Sequence, residues 1–259
     1  MKKNMVGKSW ISLAAGCLLA CGMMIVSCSG KNSQGGAEAL NEPVVLGIDV
    51  SEYQGQIEWD KLAIAKDVVD SCISEEYKAG LPESLPVSFV FIRATKSSDY
   101  VDQLYQTNFE AARLQGVCRG AYHFLTDTVS GRKQAENFIS VVKLEEGDLA
   151  PVLDIEVFSP GVADIAKEWL SVVEEHYGRE AVVYSNRNGF NDIIAKDSVL
   201  KSRELWMAQL NAERPEMENC RFWQFSHKGK VTGISENVVD INLFFGDFAQ
   251  LKGNLLKYN

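Results

Sequence analysis

The sequence predicts an α/β fold in a single domain, with parallel strands covered by helices and a more irregular closing end. Three observations support this. Five apolar, strand-like segments are each followed by a stretch with helical spacing or a short helical segment. Three further strand-like segments lie close together near the C-terminus, joined by connections too short or too polar for full helices. The 259 residues, 46% hydrophobic and 24% charged, have an ordinary globular composition and can fill one barrel-sized domain. A doubly wound open sheet explains the first part equally well. No GxGxxG or GxxxxGK[ST] motif is present, so a nucleotide-binding version has no support.

The expected strands are Val44–Ser51, Ser88–Thr95, Gly120–Leu125, Ala150–Val157 and Ala181–Ser185, then Glu204–Leu210, Arg221–Ser226 and Val238–Asn242. Between them, Val101, Leu104, Tyr105, Phe109 and Ala112 recur at helical spacing, as do Ala135, Phe138, Ile139 and Val142. Ile165, Trp169, Val172 and Val173 form a third such series, preceded by Ser159-Pro160 as a cap and first-turn pair. A shorter segment near Asn188–Ala195 follows the fifth strand, and residues 67–86 read as an insertion before the second.

The N-terminus reads as a targeting segment. Lys2, Lys3 and Lys8 precede an apolar stretch from Ile11 to Val26, too short for a typical membrane span and fitting a signal peptide. Ile25-Val26-Ser27-Cys28 resembles a bacterial lipobox, in which Cys28 is acylated and becomes the mature N-terminus. A plain signal peptide with an incidental cysteine, or an uncleaved anchor, is the alternative. The expected organisation is a signal over 1–27, a polar tether over 28–43, a catalytic barrel over 44–250 and a tail over 251–259. The expected location is the bacterial envelope after export, with a lipid holding the chain to a membrane.

Net charge is −9, and setting aside the three lysines of residues 1–27 leaves −12 on the remainder. So acidic a body lacks the basic stripe of a nucleic-acid binder. Of six cysteines, only Cys72, Cys118 and Cys220 lie beyond the lipobox. They are odd in number and lack CxxC spacing, so at most one disulfide can form and no metal site is expected. His123, His176 and His227 are too scattered to suggest one either.

Alternation along a strand separates its two faces. Ile48 and Val50 suit the helix-covered side, which turns Gly47, Asp49 and Ser51 inward. Val90, Ile92 and Ala94 leave Phe91, Arg93 and Thr95 inward. Leu153, Ile155 and Val157 leave Asp154 and Glu156 pointing inward together, and Asp240 shares a face with Asn242. Four acids in apolar strands are costly to bury unpaired. In parallel barrels such groups gather at the C-terminal mouth. Asp154 and Glu156 stand roughly 6.5–7 Å apart along a strand, close enough for repulsion to leave a proton on one of them at neutral pH. Glycoside hydrolysis uses that division between a protonated acid and a charged group. A structural pair satisfied by Arg93 or Lys96, or a pair of metal ligands, is the alternative for this D-x-E.

Sugar rings stack on aromatic faces. Tyr122, Phe124, Tyr184, Trp206 and Trp223 all lie in strands near their ends, with Tyr122 and Trp206 the strongest candidates for substrate contact. Core packing is the ordinary role of each. His123 alternates away from Tyr122 and reads as a core histidine. No Ser or Cys occupies a nucleophile elbow, which disfavours acyl transfer.

Seven segments, in order and spacing, resemble the glycoside hydrolase family 25 (Chalaropsis-type) lysozymes over roughly residues 45–250. They are Gly47-Ile48-Asp49-Val50-Ser51 with Gln54-Gly55 and Trp59; residues 89–95; Gly120-Ala121-Tyr122-His123-Phe124; Val152-Leu153-Asp154-Ile155-Glu156; Leu205-Trp206-Met207-Ala208; Trp223-Gln224-Phe225-Ser226; and Val239-Asp240-Ile241-Asn242. The resemblance implies a flattened, TIM-like (β/α)5β3 barrel. It implies cleavage of the β-1,4 bond between N-acetylmuramic acid and N-acetylglucosamine in peptidoglycan, by a monomer needing no metal or organic cofactor. By the same match Glu156 is the general acid and Asp154 its partner, with Asp49 and Asp240 supporting. Tyr122, Phe124, Trp206, Arg93 and Tyr184 are expected to bind substrate. The family's usual Ala-Thr-Glu-Gly is here Ala94-Thr95-Lys96-Ser97, its preceding Lys is Arg93, and an aromatic often found after the Trp-x-Ala segment is Leu210. Lys96 could pair with an active-site acid and depress its pKa. Two other readings remain open, a catalytically weak glycan-binding lipoprotein and a hydrolase of another amino-sugar polymer such as chitin.

Overall fold

A computed structural model describes residues 45–78, 81, 85–210, 213–235 and 238–253. The expected signal, Cys28 and the tether lie outside the described residues. All the described residues fall within one compact unit.

Eight strands close into a barrel. In chain order they are β1 (Val45–Val50), β2 (Phe89–Lys96), β3 (Cys118–Phe124), β4 (Val152–Asp154), β5 (Val182–Asn186), β6 (Leu205–Ala208), β7 (Cys220–Gly229) and β8 (Val239–Phe244). Each of β1 to β6 runs parallel to the next. β8 is antiparallel to both β7 and β1 and seals the barrel. An open sheet is therefore excluded, and the irregular closing end is this reversed last strand.

Helices cover the outside. Tyr105–Leu114 follows β2, Gly131–Val141 follows β3 and Val162–Tyr177 follows β4. The insertion after β1 folds into the helices Lys66–Cys72 and Glu75–Lys78. Around it Ala63–Ile64, Leu85–Pro86 and Val231–Thr232 pair into a small side sheet. The helix Phe248–Gly253 runs past residue 250, with Leu251 buried against the barrel. Cys72, Cys118 and Cys220 are free thiols.

The two faces of the strands divide the core in two. Outside the barrel, Ile48, Val50, Val90, Ile92, Leu153 and Ile155 pack under the helices. Inside, Phe89, Phe91, Val152, Trp206, Phe222 and Phe244 form a separate apolar plug. Phe91 stacks on Trp206 with ring centres 4.6 Å apart, and Phe222 meets Phe91 edge-on at 5.1 Å. Two glycines make room for this plug. A Cβ on Gly47 would lie 2.6 Å from the Phe89 ring, and one on Gly120 would lie 2.7 Å from the Phe91 ring. On the helix side of β3 the Arg119 guanidinium is buried against Asp148 at 2.6 and 3.1 Å and over the Phe109 ring at 3.9 Å.

Three expectations are corrected. Thr95 does not face inward. The register between β2 and β3 slips between Arg93 and Thr95, so Thr95 joins His123 on the helix side while Lys96 takes the inward parity beside Phe124. The helix expected after Ser159-Pro160 begins at Val162, because Gly161 at φ 87° makes the turn, and the buried Ser159 hydroxyl caps nothing. Val101 lies in a short strand, Tyr100–Val101, that folds back on β2, so its helix begins at Tyr105.

Candidate active site

The C-terminal ends of the strands open into a cavity of about 190 Å³. Asp49, Asp154, Glu156 and Asp240 all line it, as do Arg93, Tyr122, Phe124, Tyr184 and Trp206. Nine of the residues expected at a sugar site thus line one hollow, and Trp223 does not. A larger open hollow of about 950 Å³, beside Arg187, Arg214 and Glu216, contains none of them.

Asp154 ends β4, and its backbone neighbours are Phe124 on β3 and Tyr184 on β5. Asp154 is 5% exposed, and one oxygen of its carboxyl has no partner within the protein. Burial pushes its pKa well above the usual carboxylate range, and the charges of Glu156 and Asp49 push the same way, while Arg93 opposes them. Glu156 lies two residues on, beyond the last paired residue of β4, and is exposed at the mouth. A deep carboxyl and an open one therefore share the hollow.

Asp49 and Asp240 are cross-strand partners on β1 and β8. The Oδ2 of Asp49 accepts hydrogen bonds from Asn242 at 2.8 Å and Gln224 at 3.0 Å. Burial raises the pKa of Asp49 most, and the neighbouring Asp240 charge raises it further, against the pull of these two amides. Asp240 is pushed up to about 6, chiefly by burial, while its hydrogen bond with Asp49 works the other way. The pair is thus biased towards a proton on Asp49 rather than on Asp240.

The walls are aromatic. Tyr184 and Trp206 meet at 4.4 Å between ring centres, and Tyr122 stands edge-on to Trp206 at 6.3 Å. Trp206 donates through Nε1 to Asn242 at 2.8 Å, and the Tyr184 hydroxyl donates to Gln224 at 3.0 Å. Trp206 is nearly fully buried and forms floor, whereas Tyr122 and Phe124 are half-buried and present faces to the opening. Trp223 belongs elsewhere: it is sealed outside the barrel and donates to the Gln209 carbonyl. The Arg93 guanidinium is held by Asp102 at 3.0 Å and lies over the rings of Tyr53 and Tyr100.

His123 is a core histidine. Its Nδ1 lies 2.7 Å from the Thr95 hydroxyl and its Nε2 lies 3.1 Å from Gln134, beneath a stacked Trp169. Burial lowers its pKa to about 4, so it is neutral. Lys96 pairs with no carboxylate among the described residues; its ammonium lies 4.9 Å from the centre of the Phe124 ring. The expected pairing of Lys96 with an active-site acid is not formed.

Gln224, Tyr53 and Gln54 also line the cavity and were not singled out as site residues. Gln224 had a signal, being polar in an apolar strand on the face opposite Trp223. Tyr53 and Gln54 come from the turn Glu52–Gln54 after β1, which no periodicity describes.

A family model described as glycosyl hydrolases family 25 matches residues 48–234. Uncharacterized protein YegX of Escherichia coli (strain CFT073) is 30% identical over 215 residues, spanning 81% of this chain and 72% of the relative. Lysozyme M1 of Streptomyces globisporus is 28% identical over 226 residues, spanning 80% and 70% of the two chains. The crystal structure of a bacterial lysozyme from Streptomyces coelicolor superposes with a TM-score of 0.66 at 28% identity, covering 82% of this chain and 96% of that one. A family 25 glycosyl hydrolase from Bacillus anthracis shares the fold with a TM-score of 0.63 at 22% identity, over 88% and 100% of the chains. The match begins within β1 and runs through all of β7, spanning three of the four acids at the mouth. By that match, on the barrel just described, the chain belongs to glycosyl hydrolase family 25.

Proposed function

We propose that this glycoside hydrolase cleaves the β-1,4 bond between N-acetylmuramic acid and N-acetylglucosamine in peptidoglycan. The observation that carries the reading is the pairing of buried Asp154 with exposed Glu156 in one aromatic-walled hollow. Glu156, at the open end, is the group placed to hand a proton to a leaving glycosidic oxygen. Asp154, with a free oxygen deep in the site, stabilises the cationic sugar centre or orients the acetamido group. Burial favours a proton on Asp154 while the site is empty. Positive charge developing beside it favours the ionised form, so its stabilising effect is greatest in the transition state. Asp49 and Asp240 complete the acidic floor. Tyr122 and Phe124 supply faces for sugar stacking, and Tyr184, Trp206 and Arg93 define the wall.

The experiment is a digest of purified peptidoglycan by the full-length chain, read by mass spectrometry. New reducing ends on muramic acid support the proposal. Binding without product would leave a glycan-binding protein, and faster cleavage of chitin than of peptidoglycan would reassign the substrate.

We also propose that Cys28 carries a lipid that holds a monomeric enzyme to a membrane of the bacterial envelope, beside its glycan substrate. The lipobox-like Ile25-Val26-Ser27-Cys28 supports this. Cys28→Ala is expected to abolish acyl labelling and to release the chain from membranes; continued labelling would exclude Cys28 as the site.

A further inference from the structure

Lys96 stands at the end of β2, where the bulge has turned it to the barrel's inner side. One rung of paired residues runs from Lys96 through Phe124, Asp154 and Tyr184 to Trp206. Neighbouring strands lie about 4.8 Å apart, so the backbone of Lys96 is about 10 Å from that of Asp154. A lysine side chain on one side and a substituent of a bound sugar on the other can span that gap.

The backbone that carries Lys96 is held in place. Ser97, the next residue, has φ 53°, a left-handed conformation that a residue other than glycine adopts at a cost. Three hydrogen bonds fix it there. Ser97 N donates to the Phe124 carbonyl at 3.3 Å, Asn137 Nδ2 donates to the Ser97 carbonyl at 3.1 Å, and Thr126 donates to the Ser97 hydroxyl at 3.1 Å. The ammonium itself rests over Phe124, a cavity wall.

The charges around it set its use. The carboxylate charge that this acidic floor carries works against an anionic substrate. Arg93, which lines the cavity itself, is occupied by Asp102 and Glu52. Lys96 is exposed and has no ion-pair partner among the described residues.

We propose that Lys96 is a specificity-determining residue that receives a carboxylate carried by the muramyl unit, so that anionic glycan is preferred over neutral amino-sugar polymer. This rests on the muramidase reading and deepens it. The carboxylate is either the lactyl group of a strand stripped of peptide or an acid of the stem peptide.

The test measures binding in the Glu156→Gln background of the full-length chain, so that no strand is consumed. The probes are a soluble peptidoglycan tetrasaccharide with free lactyl groups, the same tetrasaccharide bearing stem peptides, and neutral chitotetraose. Adding Lys96→Met is expected to weaken binding of an anionic probe about fivefold, with Lys96→Arg retaining most of it and added salt shrinking the difference. Chitotetraose binding is expected to be unchanged. Loss on the free-lactyl probe alone assigns the lactyl carboxylate, loss on the stem-bearing probe alone assigns an acid of the peptide, and loss on both shows that Lys96 receives either. Equal binding of both anionic probes by the Lys96→Met and Lys96 forms would overturn the proposal, as would an equal loss on all three probes. A parent chain that binds with this Lys96 dependence but yields no muropeptides would refute the hydrolysis reading and leave this inference standing. Normal cleavage without Lys96 dependence would do the reverse.

Discussion

Asp49 and Asp240 face each other across the antiparallel seam of β1 and β8, with the two amides of Asn242 and Gln224 fixing one oxygen of Asp49. Among the described residues the seam is the place where the barrel brings two acids together on directly paired positions, and both line the same hollow as the pair proposed for catalysis.

Asp240 is therefore expected to be visible in the pH profile. With its pKa pushed up to about 6, it becomes ionised as pH rises through that value and adds negative charge near the developing cation. The expectation is an acidic limb in kcat/KM with a midpoint near 6. Asp240→Asn should lower activity and flatten that limb. A limb that survives unchanged in the variant would assign it to another group.

Asp154 is expected to lower stability in return for function. Its folded pKa is raised, so at neutral pH the unfolded chain ionises this group more readily than the folded one. That penalty is absent below the ordinary aspartate pKa of about 3.9 and grows as pH rises above it. Asp154→Asn should therefore stabilise the fold by about 1–2 kcal/mol at pH 7 while removing most activity. Denaturant melts at pH 7 and near pH 3.5 check this: the gain should shrink at the lower pH. A destabilised variant at pH 7 would contradict the description of this carboxyl as buried and unpaired.

Arg119 and Asp148 give a prediction away from the chemistry. Asp148→Ala leaves a buried guanidinium whose remaining partners are the Phe109 carbonyl and the more exposed Glu145 and Glu110. The expected loss is about 3–5 kcal/mol, with activity per folded molecule retained. Chemical denaturation read alongside turnover would show it, and a variant as stable as the parent would mean this ion pair contributes little.

Much of this arrangement was legible from strand parity. Ile48 and Val50 on one face and Asp49 on the other gave the seam acid its direction, and Leu153 and Ile155 did the same for Asp154. Thr95 and Lys96 defeated the method, because one extra residue in β2 reverses the faces and no local pattern around Ala94 announces it. Glu156 shows a second limit. Alternation gave its direction, but the strand ends at Asp154, so the two acids differ in depth more than a continuous strand would allow. Gln224 was hidden by chemistry: a glutamine becomes informative only once Tyr184 and Asp49 stand on either side of it. Residues 67–86 read as an insertion, yet Leu85–Pro86 pairs with Ala63–Ile64, which pairs in turn with Val231–Thr232, a contact far apart in sequence.

The most direct measurement is the rate of muropeptide release by Glu156→Gln beside the parent, with circular dichroism confirming that both are folded. A carboxyl that protonates the leaving oxygen contributes about 10²–10⁴-fold, so a loss of that size with an unchanged fold is predicted. Release at the parent's rate would show that the proton comes from elsewhere, and that the open carboxyl beside Asp154 is not the acid of this site.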